Sequence, residues 1–117
     1  MRQRSIAAVV AVAGAIALVP VLGGVANGAP KTTVKLGDNF FKPSVKSVKR
    51  GTKVRFKWVG NRPHNVTKRS GPGGSFSSRT TSARGVNFAK RFAKKGTYRL
   101  ICTIHPTTMR MKLTVRR

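Results

Sequence analysis

From Thr33 onward, apolar and polar residues alternate in short runs bounded by glycine and proline. Thr33-Val34-Lys35-Leu36 alternates, and Gly37-Asp38-Asn39 then has the composition of a turn. Phe40 and Phe41 precede Pro43, and Val45 and Val48 punctuate a basic stretch that ends at Gly51. Val54, Phe56 and Trp58 fall on one face, with Arg55 and Lys57 on the other; Val86 and Phe88 alternate likewise. After Gly96, Tyr98, Leu100 and Cys102 share a face, and Met109, Met111, Leu113 and Val115 alternate with Arg110, Lys112, Thr114 and Arg116. A period of two with charge opposite apolar side chains predicts half-buried strands, here of an antiparallel sheet with one wet side. Several such strands with turns at close spacing predict an all-β fold, a sandwich or barrel. Segment 88–95 also carries aromatics four apart, Phe88 and Phe92, and fits a basic amphipathic helix. A strand followed by a turn fits it better, because Gly96 opens a new strand at once. Ser70-Gly71-Pro72-Gly73-Gly74-Ser75 and the Ser/Thr-rich residues up to Ser82 read as loop.

The N-terminal pattern is different. Arg2 and Arg4 precede an almost unbroken apolar run over residues 6–22, and Gly23-Gly24-Val25-Ala26-Asn27-Gly28-Ala29 follows. A basic start, an apolar middle and a small-residue end are the layout of a secretory signal peptide, with cleavage expected after Ala26, Gly28 or Ala29. An uncleaved anchor tethering the protein through residues 6–26 is the alternative, since the run is nearly long enough for a bilayer core of about 30 Å. Residues 1–29 are therefore assigned to the signal segment and residues 30–117 to one extracytoplasmic domain, secreted or periplasmic.

Composition sharpens this picture in two ways. The domain is small, so its core benefits from a disulfide or a metal, yet Cys102 is the only cysteine. A lone thiol in an oxidising compartment is explained if a metal holds it as a shielded thiolate. The charge is extreme: without Arg2 and Arg4, 23 of the 25 basic residues stand against the single acid Asp38, a net +22. Such a surface attracts polyanions at low salt, among them anionic wall polymers, anionic lipid or an acidic redox protein. A solvated shell with no dedicated partner is the bland alternative.

The chain contains two histidines and one cysteine. Cys102 and His105 lie in Cys102-Thr103-Ile104-His105-Pro106-Thr107-Thr108-Met109, and His64 lies upstream in Pro63-His64-Asn65-Val66. Two imidazoles, one thiolate and one thioether are the donors of a type 1 copper site, with a trigonal plane of two His and one Cys and a weak axial Met. Zinc prefers four strong donors, and no second thiol is present to complete such a set. Cys102 ends a strand, the short loop through Pro106 turns His105 and Met109 back towards it, and His64 arrives from the end of another strand after Trp58 and a Gly60-Asn61 turn. Met111 has the same strand parity as Met109 and is a rival axial ligand. Tyr98 and Trp58 alternate with core positions, which assigns them to packing rather than to stacking on nucleic acid.

These residues carry a resemblance. Phe41-Lys42-Pro43, Gly51-Thr52-Lys53-Val54, Pro63-His64-Asn65, Gly96-Thr97-Tyr98 and the segment from Cys102 to Met109 are similar to the cupredoxins, above all to the plastocyanin, amicyanin and pseudoazurin branch. The likeness runs from Val34 to Val115 and follows the family's order of elements. It implies a Greek-key β-sandwich with one copper held by His64, Cys102, His105 and Met109. It further implies that a backbone N–H at Asn65 tunes the sulfur and that the edge of the His105 ring is the electron port. The chain departs from plastocyanin in having Ile101 before the cysteine, where an aromatic is usual. It also has Lys and Arg where plastocyanin has acidic patches, so an acidic docking face is expected on its partner. The loop between His105 and Met109 holds three residues, a length between those of amicyanin and plastocyanin.

The function this points to is one-electron transfer by Cu(I)/Cu(II) cycling in a monomer that is not an enzyme. No histidine remains for the further copper site that a multicopper oxidase or a nitrite reductase needs. Two alternatives use the same residues differently: copper binding or buffering without a redox partner, and binding of polyanions by a secreted basic protein. Specific nucleic-acid recognition is not expected.

Overall fold

A computed structural model describes residues 30–117. The signal segment and cleavage positions expected within residues 1–29 lie outside the described residues. The alternating runs become strands: β1 (Lys31–Gly37), β2 (Phe40–Lys42), β3 (Val45–Lys49) and β4 (Thr52–Trp58), then β6 (Gly85–Phe92), β7 (Gly96–Ile101) and β8 (Arg110–Arg116). In β4 and β8 every second side chain is buried, the result expected when a period of two meets a one-sided core. Segment 88–95 resolves as the end of β6 and the turn into β7, not as a helix. The pattern did not reveal β5 (Thr67–Ser70), which carries no apolar residue and buries none of its side chains fully. Backbone pairing alone makes it a strand.

The strands form two four-stranded sheets, β2-β1-β4-β6 and β3-β8-β7-β5. The chain changes sheet after β2, and then at every connection until β7. This connectivity corrects the expected antiparallel arrangement: β1 runs parallel to β4, with Val34 beside Phe56 and Leu36 beside Trp58, and β3 runs parallel to β8. The remaining pairs are antiparallel. Alternation reports which face is buried, and it is the same for both strand directions. Direction follows from the crossovers, because parallel neighbours cannot be joined by a hairpin.

The inner faces meet in one core that includes Leu36, Phe56, Trp58, Phe92, Leu100 and Leu113, all essentially solvent-free. Phe92 meets Tyr98 edge to face, with ring centres 5.0 Å apart, and the Tyr98 hydroxyl donates to the Lys94 carbonyl at 2.7 Å. Tyr98 and Trp58 are both buried, which leaves neither ring a face for stacking on nucleic acid. At one end of the sandwich β7 and β8 part at the pair Ile101–Arg110, and the chain between them forms the loop that carries three of the four expected ligands.

Candidate metal centre

The loop 102–109 is closed by its own backbone. Cys102 N–H donates to the Met109 carbonyl at 3.1 Å, so these two residues continue the β7–β8 ladder by one step beyond the assigned strands. His105 N–H donates to the Cys102 carbonyl at 3.1 Å, and the N–H groups of Thr108 and Met109 both reach the His105 carbonyl, at 3.3 and 2.9 Å. Cys102 and Met109 are fully buried, while His105 keeps part of its surface in solvent. Met111 lies two register steps deeper, beside Leu100, as part of the core.

His64 arrives differently. Between β4 and β5 it lies in no strand, but it exchanges a pair of backbone hydrogen bonds with Thr81, at 3.0 and 3.1 Å. The Trp58 indole N–H donates to its carbonyl at 3.2 Å within the buried interior. Its ring is solvent-free, and the two ring nitrogens face different groups. Nδ1 stands 3.9 Å from Cys102 Sγ, and Nε2 stands 3.2 Å from Asp38 Oδ1.

Asp38 is the residue of this site that the sequence pattern did not single out. Its carboxylate also accepts the N–H groups of Asn61 and Arg62, both at 2.9 Å, which fixes the chain leading into His64. A Cβ on Gly60 would meet that carboxylate, so only glycine lets the segment lie this close. The Arg62 N–H and then the His64 ring hold the Asp38 carboxyl below the usual carboxylate range, because each stabilises its charged form. The available signal was that the one acid of a strongly basic chain sits in the Gly37-Asp38-Asn39 turn. Asn39 next to it adopts a positive φ of 78°, which Asn tolerates better than most residues, and accepts from the Thr108 hydroxyl at 2.7 Å. One turn therefore touches both ligand-bearing segments.

Asn65 joins the same two segments through its side chain. Its side-chain oxygen accepts the Thr103 N–H at 3.1 Å and the Thr67 hydroxyl at 2.9 Å, and its NH₂ donates to the Thr103 and Thr80 hydroxyls at 2.7 and 2.9 Å. The hydrogen bonds of the described residues include none from its backbone N–H to sulfur. The side chain has four polar sites, and it uses them as a clamp on backbone and hydroxyls.

The spacing fits a metal ion. Two ligand bonds of about 2.0–2.3 Å that meet at a trigonal angle hold their donor atoms roughly 3.7 Å apart, close to the 3.9 Å between Nδ1 and Sγ. Two imidazoles on one ion place their ring centres roughly 5 to 5.5 Å apart, and those of His64 and His105 are 5.6 Å apart. Among the described residues no three His, Cys, Asp or Glu side chains form a closed ligand group on their own. His64 and Cys102 meet directly, and His105 flanks His64. The Nδ1–Sγ approach and the neighbouring His105 ring suit a metal that takes imidazole and soft sulfur, and copper is such a metal.

Comparison with known proteins agrees. The family model of copper-binding proteins of the plastocyanin/azurin family matches residues 29–116, and the chain belongs to that family. Among solved structures, a Cu(I) mutant of amicyanin superposes with a TM-score of 0.66 at 25% identity, over 74% of this chain and 82% of that one. A second amicyanin mutant, in the reduced state, gives 0.63 at 27% identity, over 77% and 84%. The Cu-containing nitrite reductase NirK from Thermus scotoductus SA-01 gives 0.63 at 26% identity, but this chain spans only 22% of its length. A comparison with curated protein sequences finds no match. The chain is thus a cupredoxin whose cofactor is type 1 copper, of a family that typically carries electrons and does not turn over a substrate.

Proposed function

We propose that the chain is an extracytoplasmic one-electron carrier in which His64 Nδ1, Cys102 Sγ, His105 and Met109 hold a single copper. The observation that carries this reading is the 3.9 Å approach of two fully buried donors from different parts of the chain, Cys102 Sγ and His64 Nδ1. Bound there, copper supplies a one-electron couple between Cu(I) and Cu(II). The protein's part is to keep the donors in place in both states. The loop 102–109 does so through its backbone hydrogen bonds and the His64 segment through Asp38, Trp58 and Thr81. Little rearrangement then accompanies a change of oxidation state.

Electrons enter and leave through His105, the one expected ligand with exposed surface. Its neighbour Ile104 is 46% exposed and offers an apolar contact beside that port. The partner is a redox protein with an acidic docking face, because its counterpart here carries a net +22 with one acid. Residues 1–29 act as the signal segment. The family match supports this boundary, since it starts at residue 29 and leaves the apolar run outside. Methionine assignment follows register: Met109 is bonded to Cys102 through its backbone, whereas Met111 packs beside Leu100.

The test is an optical spectrum of residues 30–117 after addition of Cu(II), followed by a redox titration. An intense visible thiolate-to-copper band with a reversible one-electron wave is expected. Copper bound without that band would overturn the proposed donor set. Met109→Leu is expected to shift the band and the potential. Met111→Leu, a swap of similar volume, is expected to change neither and to cost less than about 1.5 kcal/mol.

A further inference from the structure

Asp38 is the only acidic residue of the chain, and it stands against a ring that faces the proposed copper. We infer that Asp38 is a positioning residue of this centre. By accepting the Nε2 proton of His64 it leaves Nδ1 free to bind metal, and its fixed negative charge favours Cu(II) over Cu(I). The inference rests on the donor set proposed above and assigns a role to a residue outside it.

Three observations support it. The carboxylate oxygen that faces Nε2 at 3.2 Å also accepts the N–H groups of Asn61 and Arg62, so three donors fix its position. Gly60 leaves room for it where any Cβ would collide. The His64 ring is solvent-free, so no water competes with Asp38 for Nε2. A neutral imidazole carries one proton, and a carboxylate on Nε2 keeps it there. Hydrogen bonding of the distal nitrogen to a carboxylate also raises the basicity of a ligating histidine, which stabilises the higher charge of the metal. The Asp38 side chain is itself 37% exposed, so solvent screens part of its charge.

A loop anchor and an electrostatic partner predict different things for Asp38→Asn and Asp38→Ala. Asn keeps an acceptor oxygen for the three N–H groups and loses the charge, whereas Ala loses both. In copper-free protein, ¹⁵N NMR of the His64 ring is expected to report the Nε2–H tautomer in the wild type and in D38N, and a mixture in D38A. In the copper-loaded protein, D38N is expected to weaken Cu(II) binding about tenfold relative to Cu(I), a rise in potential of about 59 mV for one electron. Ser47→Lys adds the same unit of charge on the other sheet, away from the 101–110 end, and is expected to leave the potential unchanged. Wild-type potential in D38N, an equal rise in S47K, or an unmixed Nε2–H tautomer in D38A would overturn the assignment. The tautomer measurement needs no metal, so it decides the positioning role even if the copper site proves to have another donor set.

Discussion

The two segments that meet at His64 and Cys102, the proposed copper site, are held by opposite means. The loop 102–109 closes on itself: each of its four internal backbone hydrogen bonds joins residues no more than seven apart, and strands β7 and β8 clamp its ends. The His64 segment has no such closure and is held from outside. Asp38 holds its approach, Trp58 its carbonyl, Thr81 its backbone and Asn65 its exit. Local closure makes a geometry that survives changes elsewhere. A segment held largely by distant side chains can instead be tuned, since Asp38, Trp58 and Asn65 are each a single replaceable residue.

The comparison can be broken most completely at the point where the segments converge. Cys102→Ser is expected to abolish the visible absorption band. It also removes the stabilisation that bound copper gives the fold, about 4 kcal/mol for a ligand at a thousandfold its Kd. The copper-free variant should still fold, at a cost of about 1–3 kcal/mol for a buried hydroxyl, as measured by urea denaturation followed through Trp58 fluorescence. Metal-independent polyanion binding together with unchanged stability in this variant would favour the basic-surface alternative over electron transfer.

Asn65→Ala tests the tie between the segments. It removes the acceptor of the Thr103 N–H, a part-buried hydrogen bond, and a loss of about 0.5–1.5 kcal/mol is expected. Copper should dissociate faster, and amide hydrogen exchange should quicken at Thr103 while Met109 stays protected. Equal exchange at both positions would show that the loop does not close independently.

Much of this was legible in the chain before folding. The strands follow from alternation, and the proposed ligand set follows from the scarcity of His and Cys together with the spacing of Cys102, His105 and Met109. What the pattern missed shares one physical cause. β5 buries nothing apolar, the parallel pairings share their periodicity with antiparallel ones, and Asp38 acts on His64 across 26 residues of sequence. Asn65 was singled out for its backbone N–H, and the structure adds a side-chain clamp that the pattern did not show.

The smallest effect lies away from both segments and provides a baseline. Burial raises the Tyr98 pKa above its ordinary value near 10, because the core penalises the phenolate. Below that pH neither state ionises and the group contributes no slope. As pH rises through 10 the unfolded chain ionises first, so stability falls. Tyr98→Phe loses one hydrogen bond to Lys94, about 0.5–1.5 kcal/mol, and its deficit relative to wild type should shrink between pH 9 and 11 in thermal unfolding.

By itself the sequence determined the class of this protein: the period of its strands, the charge of its surface and the side chains proposed as the four donors. Each is a property of residue type and short-range spacing, which the chain carries before it folds. Only the tertiary structure decided the direction of β1 beside β4 and of β3 beside β8, which nitrogen of His64 faces the sulfur, and that the lone carboxylate lies behind that ring. Those features arise where strands from two sheets end together, and contacts between residues far apart in the chain leave no periodic trace in it.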